Sequence, residues 1–198
     1  TPGTLVEPAL LPDRRNNYVV ALVMGPERAG LAYADITTGE FAATEIADGA
    51  DVPRRIAEEL GRLGPAEVVF PSKDPRWARR ARGTDGGAPL VGGGGADVIP
   101  AYLDTYHVTP FAAWRFEEAT ARQALLDHFR VATLEGFGCA GLPLAIRAAG
   151  AVIHYLQETQ KGVATQIASL STYSTARFMA LDAATRRNLE LTETIRER

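Results

Sequence analysis

The chain has 198 residues, 46% of them hydrophobic, which is enough apolar material for one compact domain and some additional structure. No stretch reaches the roughly 20 uninterrupted apolar residues that a membrane-spanning helix requires. Thr1-Pro2-Gly3-Thr4 lacks the basic and apolar parts of a secretory signal, so a cytoplasmic location is expected. A formal net charge of −3 argues against an isolated polyanion binder, because sequence-independent DNA binding needs Lys and Arg to displace counterions from several phosphates at once. The local clusters Arg79-Arg80-Ala81-Arg82 and Arg186-Arg187 read as solvated surface charge.

In chain order, residues 1–16 carry Pro2, Pro8 and Pro12 without periodicity and read as an extended lead-in. Tyr18 to Met24 is a nearly continuous apolar run, the pattern of a central strand covered on both faces, and Gly25-Pro26 ends it. Gly30 to Asp35 and Glu40 to Ile46 read as two further strands of an antiparallel meander. The hairpin between them places Gly39 where a positive φ is needed. Asp51 is the expected N-cap of a helix with Pro53 in its first turn and Ile56, Leu60 and Leu63 on its apolar face. Gly64-Pro65 stops it, and Val68-Val69-Phe70 follows as a short strand. Strand, crossover helix and strand predict a right-handed β-α-β unit with parallel strands, so the sheet should be mixed.

Gly83 to Gly95 holds too little side chain to offset its conformational entropy and is expected to be a mobile loop. Asp104 to Thr109 is assigned as one more strand, with Pro110 to Arg115 leading into a helix from about Glu117 to Phe129. Ala121, Ala124, Leu125, His128 and Phe129 would line its inner side, with Glu118, Arg122, Gln123 and Asp127 nearer the outside. A second helix is expected from about Pro143 to Gln160, then an irregular passage from Val163 to Arg177, then a helix capped by Asp182. There is no initiator Met and that last helix lacks a stop signal, so both ends are expected to be cut from a longer protein.

Chemistry is sparse. Gly92-Gly93-Gly94-Gly95 is followed by Ala96-Asp97-Val98, without the Lys and Ser or Thr of a phosphate-binding loop, and reads as a linker. His107, placed in a strand, and His128 and His154, placed on helices, lack a second histidine at metal-ligand spacing. Ser169, Ser171 and Ser174 lack a nucleophile-elbow setting. Cys139 reads as a small buried apolar residue. Three antiparallel strands followed by a β-α-β crossover are also how ribonuclease H-like nucleases begin. Such enzymes need carboxylates converging on two metal ions, and Asp35, Glu40, Glu67 and Asp104 are the candidates beside strands. Asp35 and Glu40 are equally well explained as hairpin residues. A nuclease, active or degenerate, and a stand-alone nucleic-acid-binding module are therefore the alternative readings.

Several phrases, in order and spacing, resemble the MutS family of bacterial mismatch-recognition proteins. They are Thr1-Pro2-Gly3-Thr4-Leu5, Asn16-Asn17-Tyr18, Asp35-Ile36-Thr37-Thr38-Gly39-Glu40-Phe41, Pro65-Ala66-Glu67, Trp114-Arg115-Phe116, Phe137-Gly138, Ala148-Ala149-Gly150 and Thr159-Gln160-Lys161. The match is strongest at Leu181-Asp182-Ala183-Ala184-Thr185-Arg186-Arg187-Asn188-Leu189-Glu190-Leu191. The departure is the glycine-rich stretch between Arg79 and Ala101.

The resemblance implies an α/β fold, a ribonuclease H-like mixed β-sheet flanked by helices, with a short helical segment of a following domain. It divides the chain into a linker from a mismatch-recognition domain (1–15), a connector domain (16–174) and the start of a helical core (175–198). It implies a homodimeric parent that encircles mismatched duplex DNA and switches with ATP and Mg²⁺ bound outside this chain. The family's Phe-x-Glu motif would precede Thr1, and the nucleotide-binding domain would follow Arg198. The connector itself is expected to carry no catalytic, cofactor or metal site. It would couple mismatch recognition to the ATPase and help to recruit MutL, with Arg122, Gln123 and Asp127 as the docking residues.

Overall fold

The structure, a computed structural model, describes residues 17–47, 49–73 and 100–175. The lead-in, the basic clusters at 79–82 and 186–187, the glycine-rich stretch and the helix expected after Asp182 lie outside the described residues. Six strands form one sheet in the order β5-β4-β1-β2-β3-β6. β1 (Tyr18–Met24), β2 (Ala29–Asp35) and β3 (Phe41–Ile46) are the antiparallel meander. β4 (Glu67–Ser72) runs parallel to β1, and β5 (Val108–Ala112) parallel to β4. This is the mixed α/β sheet the sequence implies, with the strand order of the ribonuclease H-like fold.

Strand alternation divides the core in two. Val19, Ala21, Val23, Ala32, Ala34, Ala43 and Val69 face α2 (Glu118–Phe129) and α3 (Pro143–Thr159). Val20, Leu22, Leu31, Val68 and Phe70 face the other way, onto Val52, Ile56, Leu60 and Leu63 of α1 (Val52–Leu63). The crossover through α1 begins at β3 and lands beside β1, passing over two strands, so the parallel pair it creates is not with the strand it left.

Local signals are followed with two exceptions. Gly39 has φ 77° and Gly64 φ 57°, the left-handed values their turns require. Asp51 occupies the N-cap of α1, but its carboxylate makes no cap hydrogen bond and pairs with Arg54 at 3.0 Å instead. The segment assigned as a strand from Asp104 is different: Ala101–Leu103 forms a 3₁₀ turn that drives Leu103 into the α1-side core, Asp104 is exposed, and His107 precedes the strand. The strand begins at Val108 and includes Pro110, which the sequence placed in a lead-in. β5 is a sheet edge. Val68 donates to the carbonyl of His107 at 2.8 Å, so the parallel alternation turns Pro110 outward, where a missing N–H costs no ladder bond. The irregular passage after α3 also contains β6 (Ser171–Thr172), parallel to β3.

Helix α3 sits closest to the sheet. Small residues line both sides of that contact: Ala21, Ala32, Ala34 and Ala43 on the strands, and Ala145, Ala148, Ala149 and Ala151 on the helix, all buried. A Cβ at Gly30 of β2 would stand 2.0 Å from the carbonyl oxygen of Leu144. At Gly150 it would stand 2.4 Å from the Cα and carbonyl oxygen of Ala121 in α2. Glu45 of β3 accepts a hydrogen bond from the backbone N–H of Leu144 at 3.0 Å, placing a carboxylate at the positive end of α3. Gly150→Ala should therefore cost about 3 kcal/mol of stability by overpacking backbone against backbone. A shift in denaturant midpoint measures it, and a midpoint equal to that of the parent would show that the two helices can separate freely.

Candidate functional site

Adjacent residues of β1 point to opposite faces of the sheet, and this separates the carboxylates that could have formed a metal centre. Tyr18 pairs with Asp35 and Val19 with Glu67, so Asp35 belongs to the α1 face and Glu67 to the α3 face. Asp35 is committed to its hairpin, accepting from the Thr37 N–H at 2.8 Å and the Thr38 hydroxyl at 3.0 Å. Glu40 accepts from the hydroxyls of Tyr33 at 2.8 Å and Tyr18 at 3.2 Å. Asp104 lies apart in its exposed turn. Among the described residues no three His, Cys, Asp or Glu side chains come together in a way that could hold a metal ion. The nuclease arrangement is not assembled from these candidates.

Glu67 is fully buried. Its Oε1 accepts from the hydroxyls of Thr109 and of Tyr155, the latter at 2.8 Å, while Oε2 has no hydrogen-bond partner among the described residues. Burial pushes this carboxyl above its ordinary value of 4.5, against the opposing pull of those two hydroxyls. Nearby, Arg115 lies 4.0 Å from the ring centre of Trp114, contacts Glu158 and donates to His154 Nδ1 at 2.8 Å. An Arg can only donate, so Nδ1 accepts. Burial and the Arg115 charge both push the imidazole below its ordinary range. His128 donates from Nε2 to the carbonyl of Ile167 at 2.9 Å. Cys139 is buried, as its sequence setting indicates, with its thiol 3.4 Å from the Leu134 carbonyl.

The expected docking residues do share a helix. Ala121, Ala124 and Leu125 anchor the buried side of α2. On the outside, Gln123 Nε2 donates to Asp127 Oδ1 at 2.7 Å, one turn along, and both side chains are exposed. Arg122 is half-buried, 3.4 Å from Glu118. It also borders a groove of about 290 Å³ with Leu126, Ala132, Thr133, Leu134, Glu135 and Ala140. The groove was not legible in the sequence. Its far wall is the loop after α2, whose apolar residues, among them Val131, Ala132, Leu134 and Phe137, recur with no helix or strand period that would place them. Arg130 starts that loop at φ 54°, a left-handed value unusual for a residue with a side chain, and ends α2 as a helix C-cap.

With the strand order, the two-sided core and the helix faces established, comparison with known proteins decides the family. The family model described as MutS domain II matches residues 17–168. The chain belongs to the MutS domain II family. Over 198 residues it is 43% identical to the DNA mismatch repair protein MutS of Thermosynechococcus vestitus, covering 100% of this chain and 21% of that protein. It is 42% identical over 200 residues to the MutS of Trichodesmium erythraeum, covering 100% and 20%, and 40% identical over 214 residues to that of Chloroflexus aurantiacus, covering 98% and 22%. The chain thus spans about a fifth of the length of these relatives.

In this MutS domain II the buried acid gives a pH signature. A carboxyl whose folded value is raised contributes its stability fully below the ordinary value of 4.5 and loses it as the pH rises through the folded value. Glu67→Gln keeps the acceptor for Thr109 and Tyr155 and cannot ionise. Its stability relative to the parent should rise as the pH climbs from 4.5 through the raised folded value, by about 1.4 kcal/mol for each unit by which the acid is raised. Urea midpoints measured across that range give the difference. A difference independent of pH would mean that burial does not raise the Glu67 carboxyl.

Proposed function

We propose that this MutS domain II is a connector: a stiff body that couples a mismatch-reading domain to an ATPase core and offers the outer face of α2 to MutL. One observation carries the reading. The inner side of α2 is locked to α3 at the Ala121–Gly150 contact and by buried Leu125, while Gln123 and Asp127 stand free to solvent as a pre-paired polar couple beside the Arg122 groove. A face held in this way presents its polar groups without ordering them on binding, which lowers the cost of docking. Helices on both sides of one sheet likewise let the domain move as a unit between neighbours, transmitting rotation with no chemistry of its own.

In the whole protein this reading includes mismatched duplex DNA held by a homodimer, ATP and Mg²⁺ bound outside this chain, and a cytoplasmic location. Relatives named as DNA mismatch repair proteins support it, as does the finding that no helix among the described residues is long and apolar enough to cross a membrane.

The test is MutL recruitment by the full-length protein on mismatched DNA. Arg122→Ala, Gln123→Ala and Asp127→Ala should each weaken recruitment roughly tenfold, the loss of one well-placed contact at about 1.4 kcal/mol. Mismatch affinity should be unchanged. If all three variants recruit MutL normally, α2 is not the docking face.

A further inference from the structure

We propose that residues 165–175 form a strap that clasps both layers of the domain across the free edge of β3, and that Tyr173 is its latch. The strap changes face as it runs. Ile167 and Leu170 are buried in the core beneath α3, while Tyr173, a few residues later, packs into the core beneath α1. Between them β6 supplies two residues of pairing, Ser171 opposite Ala42 and Thr172 opposite Ala43, too little strand to sustain itself. What holds it is a set of specific bonds. The Tyr173 N–H donates to the Ala43 carbonyl at 3.2 Å, the Thr44 hydroxyl donates to the Tyr173 carbonyl at 2.7 Å, and the Ser171 hydroxyl donates to the Phe41 carbonyl at 3.3 Å.

Tyr173 closes the clasp. Its hydroxyl donates to Glu59 Oε1 of α1 at 2.7 Å, and Glu59 is only 5% exposed. Arg62, one turn on, holds the same carboxylate at 3.0 Å and lies 5.7 Å from the Tyr173 ring centre. On its other side that ring meets Tyr33 edge-on at 5.9 Å, and Tyr33 meets Tyr18 at 5.0 Å. Tyr18 and Tyr33 are tied together again by Glu40, which accepts from both. A chain of three rings and two carboxylates therefore joins the first residue of β1 to the strap that ends the described chain. A force on the residues that follow the strap is delivered through Tyr173 to α1, β2 and β1 together.

The latch stands on this geometry alone, whereas its use in transmission rests on the connector role proposed above. Amide hydrogen exchange on the full-length protein tests it, with Tyr173→Ala and Tyr173→Phe compared with the parent. Tyr173→Ala should speed exchange of the Tyr173 amide at least tenfold and leave β1 and β4 at parental rates. Tyr173→Phe, which keeps the ring contacts and loses the bond to Glu59, should fall between. Unchanged exchange in Tyr173→Ala would overturn the latch. So would a uniform rise through β1 and β4, which would make Tyr173 an ordinary core residue. In the same variants the response of ATP turnover to mismatched DNA is read separately: an opened strap with a parental response would keep the latch and remove the transmission role.

Discussion

Helix α3 lies against the sheet at a distance that only small side chains permit, and the arrangement of the helical layer follows from that approach. Alanines face alanines across the contact, and Gly30 lets the carbonyl of Leu144 rest where a methyl group would be. On the far side of the same helix Gly150 admits the backbone of α2 at Ala121. Close packing of this kind exchanges the larger transfer free energy of leucines for dense dispersion contacts and a unique geometry. It also fixes which way α2 faces. The polar couple Gln123–Asp127 looks outward because Ala121, Ala124 and Leu125 cannot be anywhere but inward.

Among the described residues, the acidic side chains on or packed against the sheet are engaged in structure. Glu45 sits at the positive end of α3, Asp35 builds the hairpin, Glu40 ties Tyr18 to Tyr33, and Glu59 joins α1 to Tyr173. Glu67 is buried with two hydroxyls, and that burial raises its carboxyl above the ordinary value. A fold whose topology is shared with metal-dependent nucleases thus uses these carboxylates singly, each with its own hydrogen-bond donors, and distributes them over both faces of the sheet. This is the pattern expected of a body that needs stiffness, since buried polar groups with specific partners fix one arrangement over its neighbours.

Two surfaces stand out among the described residues. One is the outer face of α2 with the groove beside Arg122; the other is the strap across the β3 edge. They lie on one rigid sandwich, linked through α3, whose inner side packs with Ile167 and Leu170 and whose outer side carries α2. The proposed docking face and the strap are thus joined through packed side chains.

The sequence by itself determined the α/β class, the meander, the helix boundaries and the family. Those rest on periodicities of two and 3.6 residues, on glycines at positive φ such as Gly39 and Gly64, and on phrases kept in order along the chain. It could not place β5, because Pro110 reads as a strand breaker unless the strand is known to lie at an edge with that residue turned outward. It could not show that Asp35 and Glu67 lie on opposite faces, that Glu45 reaches Leu144, or that Tyr173 meets Glu59. The two contacts join residues 99 and 114 positions apart, and the two carboxylates lie on strands from different parts of the chain. Only the sheet register and the close approach of α3 decide such pairings, and both are set by packing among distant segments, of which local sequence carries no record.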